Sequence, residues 1–270
     1  MIYLGTLGRM VGLKCPSSQQ LSQTEKYSFD STLEGRVKAQ ALPAQRRVWN
    51  LSTSDATTPS EQAALQGFVN GNWGPGPFVF VSADAPVTNM LTPAAAASME
   101  NNGITNIMYT GPVNLGKDGW EARSITLDDA MGVGAVFGIN AVPLPPDGVV
   151  TGSAYVKGVS AALRLYWYDI NGAFISFNGT TAEDTQGMFK RLSITRTAPE
   201  GAVSVRLVTH GVNTATRPAV TWGPHLYEWA DGQGCAKAVI HGVSRSIVMA
   251  SSDPHGGRYS NASYTITEVG

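Results

Sequence analysis

Charge of either sign is scarce in this chain. Only 14% of its 270 residues are charged, and 19 Lys and Arg stand against 20 Asp and Glu, for a net charge of −1. So even a balance creates no field to draw a polyanion, which argues against nucleic acid and against an anionic membrane surface as partners. Basic residues do pair locally, at Arg46-Arg47 and Lys190-Arg191, and these read as solvated strand edges. No apolar run approaches the length that crosses a bilayer, so membrane insertion is not expected. The opening MIYLGTLGRMVGLKC lacks the long apolar core and small-residue cleavage site of a secretion signal. The expectation is a protein made and assembled in a cytosol. Cysteine is nearly absent: Cys15 and Cys235 are far apart in sequence and read as free buried thiols rather than a disulfide. With no histidine close to either, they make no zinc site.

Catalytic pairings are also missing. The four histidines, His210, His225, His241 and His255, form no HxH or HExxH spacing. His241 reads as a partly buried mid-strand residue and His255 as exposed. Asp128 and Asp129 are adjacent, so on a strand they would point to opposite faces. Glu183-Asp184 sits in a loop, TTAEDTQG, and both acidic pairs read as solvated turn residues rather than the facing carboxylates of a hydrolase. The glycine-rich MGVGAVFG has no following Lys and is no phosphate loop. No catalytic residue, metal or cofactor is assigned, and the chain is read as not an enzyme.

Turns are abundant instead. Thirty Gly and fifteen Pro, with few helix-forming runs, favour β structure. Between Val149 and Trp229 a string of segments alternates apolar with polar residues, each bounded by Gly, Pro, Asn or Asp: VVTGSAYVKG, ALRLYWYDINGAFIS, FKRLSITRTAPEGAVSVRLVTHG and AVTWGPHLYEW. This is the pattern of antiparallel strands with one buried face, a β-sandwich. Earlier, YLGTLGRMVGL, TEKYSFDSTLEGRVKAQ (turning at Glu34-Gly35) and RRVWNLSTS read as strands. TTPSEQAALQGFVNG reads as a helix with N-cap Thr58, Pro59 at its first position, Glu61 closing a capping box, an apolar stripe of Leu65, Phe68 and Val69, and Gly71 at its end. A second short helix, TPAAAASMEN, is capped by Thr92 and stopped by Gly103. The last two strands, AVIHGVSRSIVMA and RYSNASYTITEV, form a hairpin that is barely stable alone. Pairing it with the N-terminal strands makes one discontinuous β domain, 1–107 with 231–270, and leaves 108–230 as an inserted sandwich. The fold class is therefore mainly β, in two domains, with one or two short helices.

Two surfaces are candidate contacts. In ALRLYWYD, Leu163, Leu165 and Trp167 share the core face, and Arg164, Tyr166 and Tyr168 share the other. In AVSVRLVTH, Val203, Val205 and Leu207 are core, leaving Arg206 and His210 opposite. A carbohydrate-binding surface of Tyr155, Arg164, Tyr166, Tyr168, Arg206 and His210 follows, with pyranose faces stacking on tyrosines. The alternative is that tyrosines simply favour strands and this face packs on a neighbour. The loop NWGPGP, with Trp73, Pro75 and Pro77, is either an oligomer contact or a structural loop whose Trp caps the helix stripe.

Two groups of residues resemble known families. SAYVKG (153–158), LYWYDINGAFIS (165–176) and KRLSITRTAPEGAVSVRLVTHG (190–211) resemble the carbohydrate-binding-module type of jelly roll. HLYEW (225–229) stands at its usual D-x-x-Q-L-E ending, with Trp222 and His225 in place of the Asp and Gln. The start MIYLGTLGRM, the run SEQAALQGFVNGNWGPGPFVFVSADAPVTNMLTP and the ending SYTITEVG resemble minor tail proteins of long-tailed (siphovirus-type) phages, above all the distal tail proteins of phages infecting actinobacteria. That resemblance implies a virion protein of the tail tip, or baseplate, assembled in the host cytoplasm. It would form a ring of copies of itself, a hexamer, between the tail tube protein and the tail hub and tape-measure proteins. The alternative reading is a carbohydrate-binding receptor or adhesion module contacting a host surface glycan.

Overall fold

The computed structural model describes residues 1–23, 27–31, 37–41, 46–53, 57–97, 107–114, 121–127, 136–212, 214–250 and 258–269. Its strands begin with β1 (Ile2–Thr6), β2 (Arg9–Leu13), β3 (Ser18–Gln23), β4 (Tyr27–Ser31), β5 (Val37–Ala41) and β6 (Arg47–Ser52). Helix α1 (Pro59–Val69), β7 (Phe78–Val81) and α2 (Pro93–Ala96) follow. Then come β8 (Ile107–Asn114), β9 (Glu121–Leu127), β10 (Val136–Pro143), β11 (Val149–Lys157), β12 (Ala162–Tyr168) and β13 (Phe174–Gly179). The chain ends with β14 (Lys190–Thr197), β15 (Ser204–His210), β16 (Thr214–Trp222), β17 (Cys235–Ala250) and β18 (Arg258–Glu268). The protein is mainly β, as the alternation implies. The turn at Glu34-Gly35, the stop at Gly103, Asp128-Asp129 and His255 lie outside the described residues.

Two compact units divide the chain: Met1–Gly5, Val11–Phe80 and Lys237–Gly270 in the first, Thr6–Met10 and Val81–Ala236 in the second. In the first, one sheet runs in the order β2-β1-β7-β17-β18-β6-β3. Its core holds Trp49, Leu51, Phe80 and Ile266, with Trp49 edge-on to Phe80 at 5.0 Å. Helix α1 starts as its capping box requires: the Thr58 hydroxyl accepts from the Glu61 amide, and the Glu61 carboxylate accepts from the Thr58 amide at 2.9 Å. Leu65 and Phe68 are buried, but Val69 is 46% exposed, so the apolar stripe is narrower than its sequence suggests. Arg47 is no solvated edge residue. It is 4% exposed and grips Glu268 with two hydrogen bonds of 2.9 and 2.8 Å. The supposed buried thiol Cys15 is exposed, whereas Cys235 is buried. His241 is exposed, its Nε2 2.9 Å from the Thr267 hydroxyl.

The second unit is a sandwich of two antiparallel sheets, β10-β15-β12-β13 and β14-β11-β16-β9-β8. Period-two alternation makes its core. Leu163, Leu165 and Trp167 of β12 and Val205 and Leu207 of β15 meet Val150, Ala154 and Val156 of β11, all at 0% exposure. Gly152 sets the close approach of the sheets, because a Cβ there would lie 2.8 Å from Leu207 Cδ1 and 3.0 Å from Leu165 Cδ2. Val203, read as core, is only half-buried, one residue before β15 begins.

Residues 81–97, placed in the first domain by the sequence, belong to this second unit. One buried side chain and several backbone bonds hold them there. The Asn89 amide donates to the Pro218 and Ala230 carbonyls at 3.0 Å each, and its Oδ1 accepts from the Leu91 and Val220 amides at 3.2 Å. Backbone bonds from Met90 N to Val220 O and from Trp222 N to Pro86 O complete the seam. Thr92 caps the short α2 by accepting from the Ala95 amide. Only Pro93–Ala96 of the expected second helix are helical among the described residues.

Candidate functional site

The outer face of the four-stranded sheet carries five of the six residues read as a carbohydrate surface. On β12, Arg164, Tyr166 and Tyr168 alternate away from the core and are half-buried. On β15, Arg206 and His210 do the same. Pairing of the two strands sets Tyr166 opposite Arg206, Arg164 opposite Val208 and Ala162 opposite His210. Tyr155 does not join them. It lies on β11, in the other sheet, opposite Arg191, whose guanidinium sits 5.9 Å from its ring. Sequence alternation identified which side of its own strand Tyr155 occupies, but not which of two sheets owns the strand.

Two residues on this face were not anticipated. Phe174 and Phe177 of β13 are 52% and 48% exposed. Strict alternation puts residues three apart on opposite faces, but β13 has a bulge. Phe177 pairs with Tyr166 and Ser176 with Trp167, then the register slips and Phe174, not Ile175, pairs with Tyr168. The extra residue brings both phenylalanines onto the tyrosine side. Tyr166 then lies 5.4 Å from Phe174 and 5.5 Å from Phe177, and Tyr168 lies 6.1 Å from Phe174. On the inner side of β13, Asn178 accepts the Trp167 indole N–H at 2.7 Å, which locks the strand to the core. The turn before it is held by Asp169, whose carboxylate accepts from the Asn171 and Ala173 amides. The Phe-x-x-Phe spacing after a turn was the available signal.

The arginines of this face lie over rings. Arg164 sits 4.7 Å from the Phe177 centroid and Arg206 5.1 Å from that of Tyr168, the arrangement that attracts a cation to a π face. Neither forms an ion pair or donates a hydrogen bond to an acceptor among the described residues, and the Nε of Arg206 is buried without an acceptor. Burial, and then the charge of Arg164, push the His210 imidazole below its ordinary value. The site can therefore offer ring faces for stacking, cationic edges for hydrogen bonds, and a neutral imidazole.

The other candidates are placed differently. Trp73 lies flat on Phe68, with centroids 5.1 Å apart and planes 17° apart, and is 41% exposed. It caps the helix stripe, with Pro75 and Pro77 in the loop leading to Phe78, which packs edge-on against Phe68 at 5.0 Å. Glu183 is exposed and pairs with Lys190. Asp184 accepts from the Gln186 amide at 2.8 Å. Arg191 is half-buried rather than solvated, donating to Ser153 Oγ and the Tyr227 carbonyl.

No protein-family model and no curated protein sequence matches the chain. Solved structures that resemble it in part include the enzymatically active domain of bacteriophage CBA120 tailspike protein 4, at 13% identity and a TM-score of 0.38, over 50% of this chain and 22% of that one. A carbohydrate-binding module from Cellvibrio mixtus lichenase 5A, in complex with cellotriose, is similar at 12% identity and a TM-score of 0.30, over 45% of this chain and 89% of the module. A Clostridium thermocellum xylanase 10B structure holding a carbohydrate-binding and a catalytic module, complexed with xylohexaose, is similar at 18% identity and a TM-score of 0.30, over 44% and 25% of the two chains.

Proposed function

We propose that this chain is a non-catalytic component of a long-tailed phage's tail tip, and that its sandwich attaches to saccharide of the host envelope. The observation that carries the attachment is the open aromatic face of β12, β13 and β15, where four rings lie between two arginines. Rings of this kind take the C–H face of a pyranose by stacking, and the flanking donors take its hydroxyls. The resemblance of both chain ends to phage tail proteins supports the virion setting. A glycan array followed by calorimetric titration tests the reading. Retention of host-envelope saccharides, lost in Tyr166→Ala with the melting temperature unchanged, is the expected result; no retained glycan on the array and no heat in titration would sink it.

A second reading is favoured by a different observation. Strand β3 ends its sheet with six exposed residues, SQQLSQ, none of them charged, in unbroken register with β6. Exposed edges in monomers are ordinarily protected by charge, proline or a bulge. An unprotected edge suits a subunit that pairs with copies of itself, as the distal tail ring implied by the resemblance requires, with tail tube, hub and tape-measure proteins as neighbours. Light scattering with negative-stain images distinguishes a ring of about six copies, the closed head-to-tail assembly, from a monomer. A lysine at Gln20 is expected to dissolve such a ring, and a wild-type monomer at every concentration, with and without purified tails, would defeat this reading.

A further inference from the structure

We infer that the open face of the four-stranded sheet selects acidic saccharides, sugar chains whose rings carry carboxylates, over neutral ones. This rests on the saccharide-binding reading and names its ligand class. The first observation is the charge of the strands themselves. β10, β12, β13 and β15 read VFGINAVP, ALRLYWY, FISFNG and SVRLVTH: two arginines, one histidine and no Asp or Glu. A chain of net charge −1 thus presents one sheet face of purely positive sign.

The second observation is what the guanidiniums do. In a folded protein an arginine on a strand ordinarily finds a carboxylate or a carbonyl, as Arg47 finds Glu268 and Arg191 finds the Tyr227 carbonyl. Among the described residues, Arg164 and Arg206 find only ring faces. Stacking fixes the plane of a guanidinium while leaving its N–H edge free for a bidentate acceptor, and carboxylate is the acceptor whose geometry matches that fork. The Nε of Arg206 is buried without an acceptor, so an incoming carboxylate would be met by the two terminal nitrogens of its guanidinium.

The third observation concerns placement. Arg164 and Arg206 are diagonal neighbours on paired strands, since Arg164 faces Val208 two residues from Arg206; such positions are about 7–8 Å apart. Arg164 stands at the Phe177 end of the aromatic row and Arg206 at the Tyr168 end. A sugar ring stacked on Tyr166 would therefore have a cationic fork on either side. The unneutralised field of the face is also felt by His210, which burial and Arg164 together disfavour from protonating. A small inorganic anion would use the forks and leave the rings uncovered, while a neutral sugar would use the rings and leave the forks unpaired. A carboxylated sugar uses both.

The test titrates the full chain with oligogalacturonate, with the same oligosaccharide fully methyl-esterified, and with poly(glycerol phosphate), at low and at physiological salt. The acid form is expected to bind about tenfold or more tighter than its ester, the difference a charge-assisted hydrogen bond supplies, and to weaken with salt. Arg164→Gln and Arg206→Gln should each remove most of that preference and leave ester binding within about twofold. Arg206→Lys should keep part of the preference, and Lys157→Gln, on the other sheet, all of it. Equal binding of acid and ester would overturn the selectivity while leaving the saccharide reading intact. Binding of neither, together with an empty glycan array, would overturn both. Poly(glycerol phosphate) binding as tightly as oligogalacturonate would overturn the part assigned to the rings. Thermal melting of each variant, unchanged from wild type, separates loss of the site from loss of the fold.

Discussion

The sandwich has two outer faces, and both are built from arginines set against aromatic rings. On the five-stranded sheet, Arg191 lies by Tyr155 and Arg217 lies 5.1 Å from the Trp229 ring. On the four-stranded sheet, Arg164 lies by Phe177 and Arg206 by Tyr168. The first face is closed by the protein's own chain. Residues 225–233 cross it, with Arg191 donating to the Tyr227 carbonyl, the Trp229 indole to the Pro218 carbonyl at 3.2 Å, and Asn89 clamping Ala230. The fit is tight enough that a Cβ at Gly232 would lie 2.3 Å from the Thr92 carbonyl oxygen, and one at Gly234 2.0 Å from that of Met90. Beneath this strap Thr151, Ser153 and Thr221 are at most 4% exposed although they are polar, because each has a hydrogen-bonding partner. No such strap crosses the second face among the described residues. The same pairing of residue types is thus structural where the chain covers it and available where it does not.

The comparison breaks most sharply at Asn89. Asn89→Ala removes four hydrogen bonds to backbone groups at once and should cost about 3 kcal/mol or more in urea unfolding, while a stable remnant should still bind saccharide on the opposite face. Paired substitutions of arginine sharpen it. Arg191→Gln should cost about 2 kcal/mol, the worth of hydrogen bonds from a charged group, whereas Arg206→Gln removes a half-buried guanidinium whose Nε has no acceptor and should cost under about 0.5 kcal/mol, because no hydrogen bond is lost; equal costs would show the faces to be alike. Phe177→Ala removes a side chain already half in water and should cost about 1 kcal/mol of stability, yet lower saccharide affinity about tenfold, as loss of a stacked ring at a binding centre does. The smallest effect belongs to His210. Its folded value is pushed below 6.5 and its unfolded value is ordinary, so the unfolded chain takes up the proton first as pH falls. Stability is therefore full above about pH 6.5 and declines through the window down to the folded value. His210→Asn should flatten that decline in melts across pH 5–7.

The alternation of apolar and polar residues made the sandwich core legible, because a strand with one buried face carries its orientation in every second position. For the same reason Arg164, Tyr166, Tyr168, Arg206 and His210 could be assigned to one side of their strands. Tyr155 could not be excluded that way, since alternation is silent on sheet order, which depends on pairings far apart in sequence. Phe174 was hidden from strict alternation by a bulge, a slip of one residue at which only the Phe-x-x-Phe spacing after the turn hinted. Residues 81–97 were misplaced because their attachment rests on backbone bonds to residues 220–234 and on the Asn89 side chain, whose bonds to Pro218 and Ala230 span most of the second unit's sequence. Arg47 looked solvated because its partner Glu268 lies at the far end of the chain.

The bulge in β13 has a further consequence for how the molecule behaves in a crowd. β13 is the last strand of its sheet, and it displays Phe174, Ile175 and Phe177 at 52%, 38% and 48% exposure. A flat ladder of that composition would template the addition of another chain and lead to fibrous clumping. The extra residue, Ile175, breaks the regular row of amides and carbonyls near the start of the strand and sharpens its twist. The surface can present its rings while refusing a neighbour's backbone along this edge.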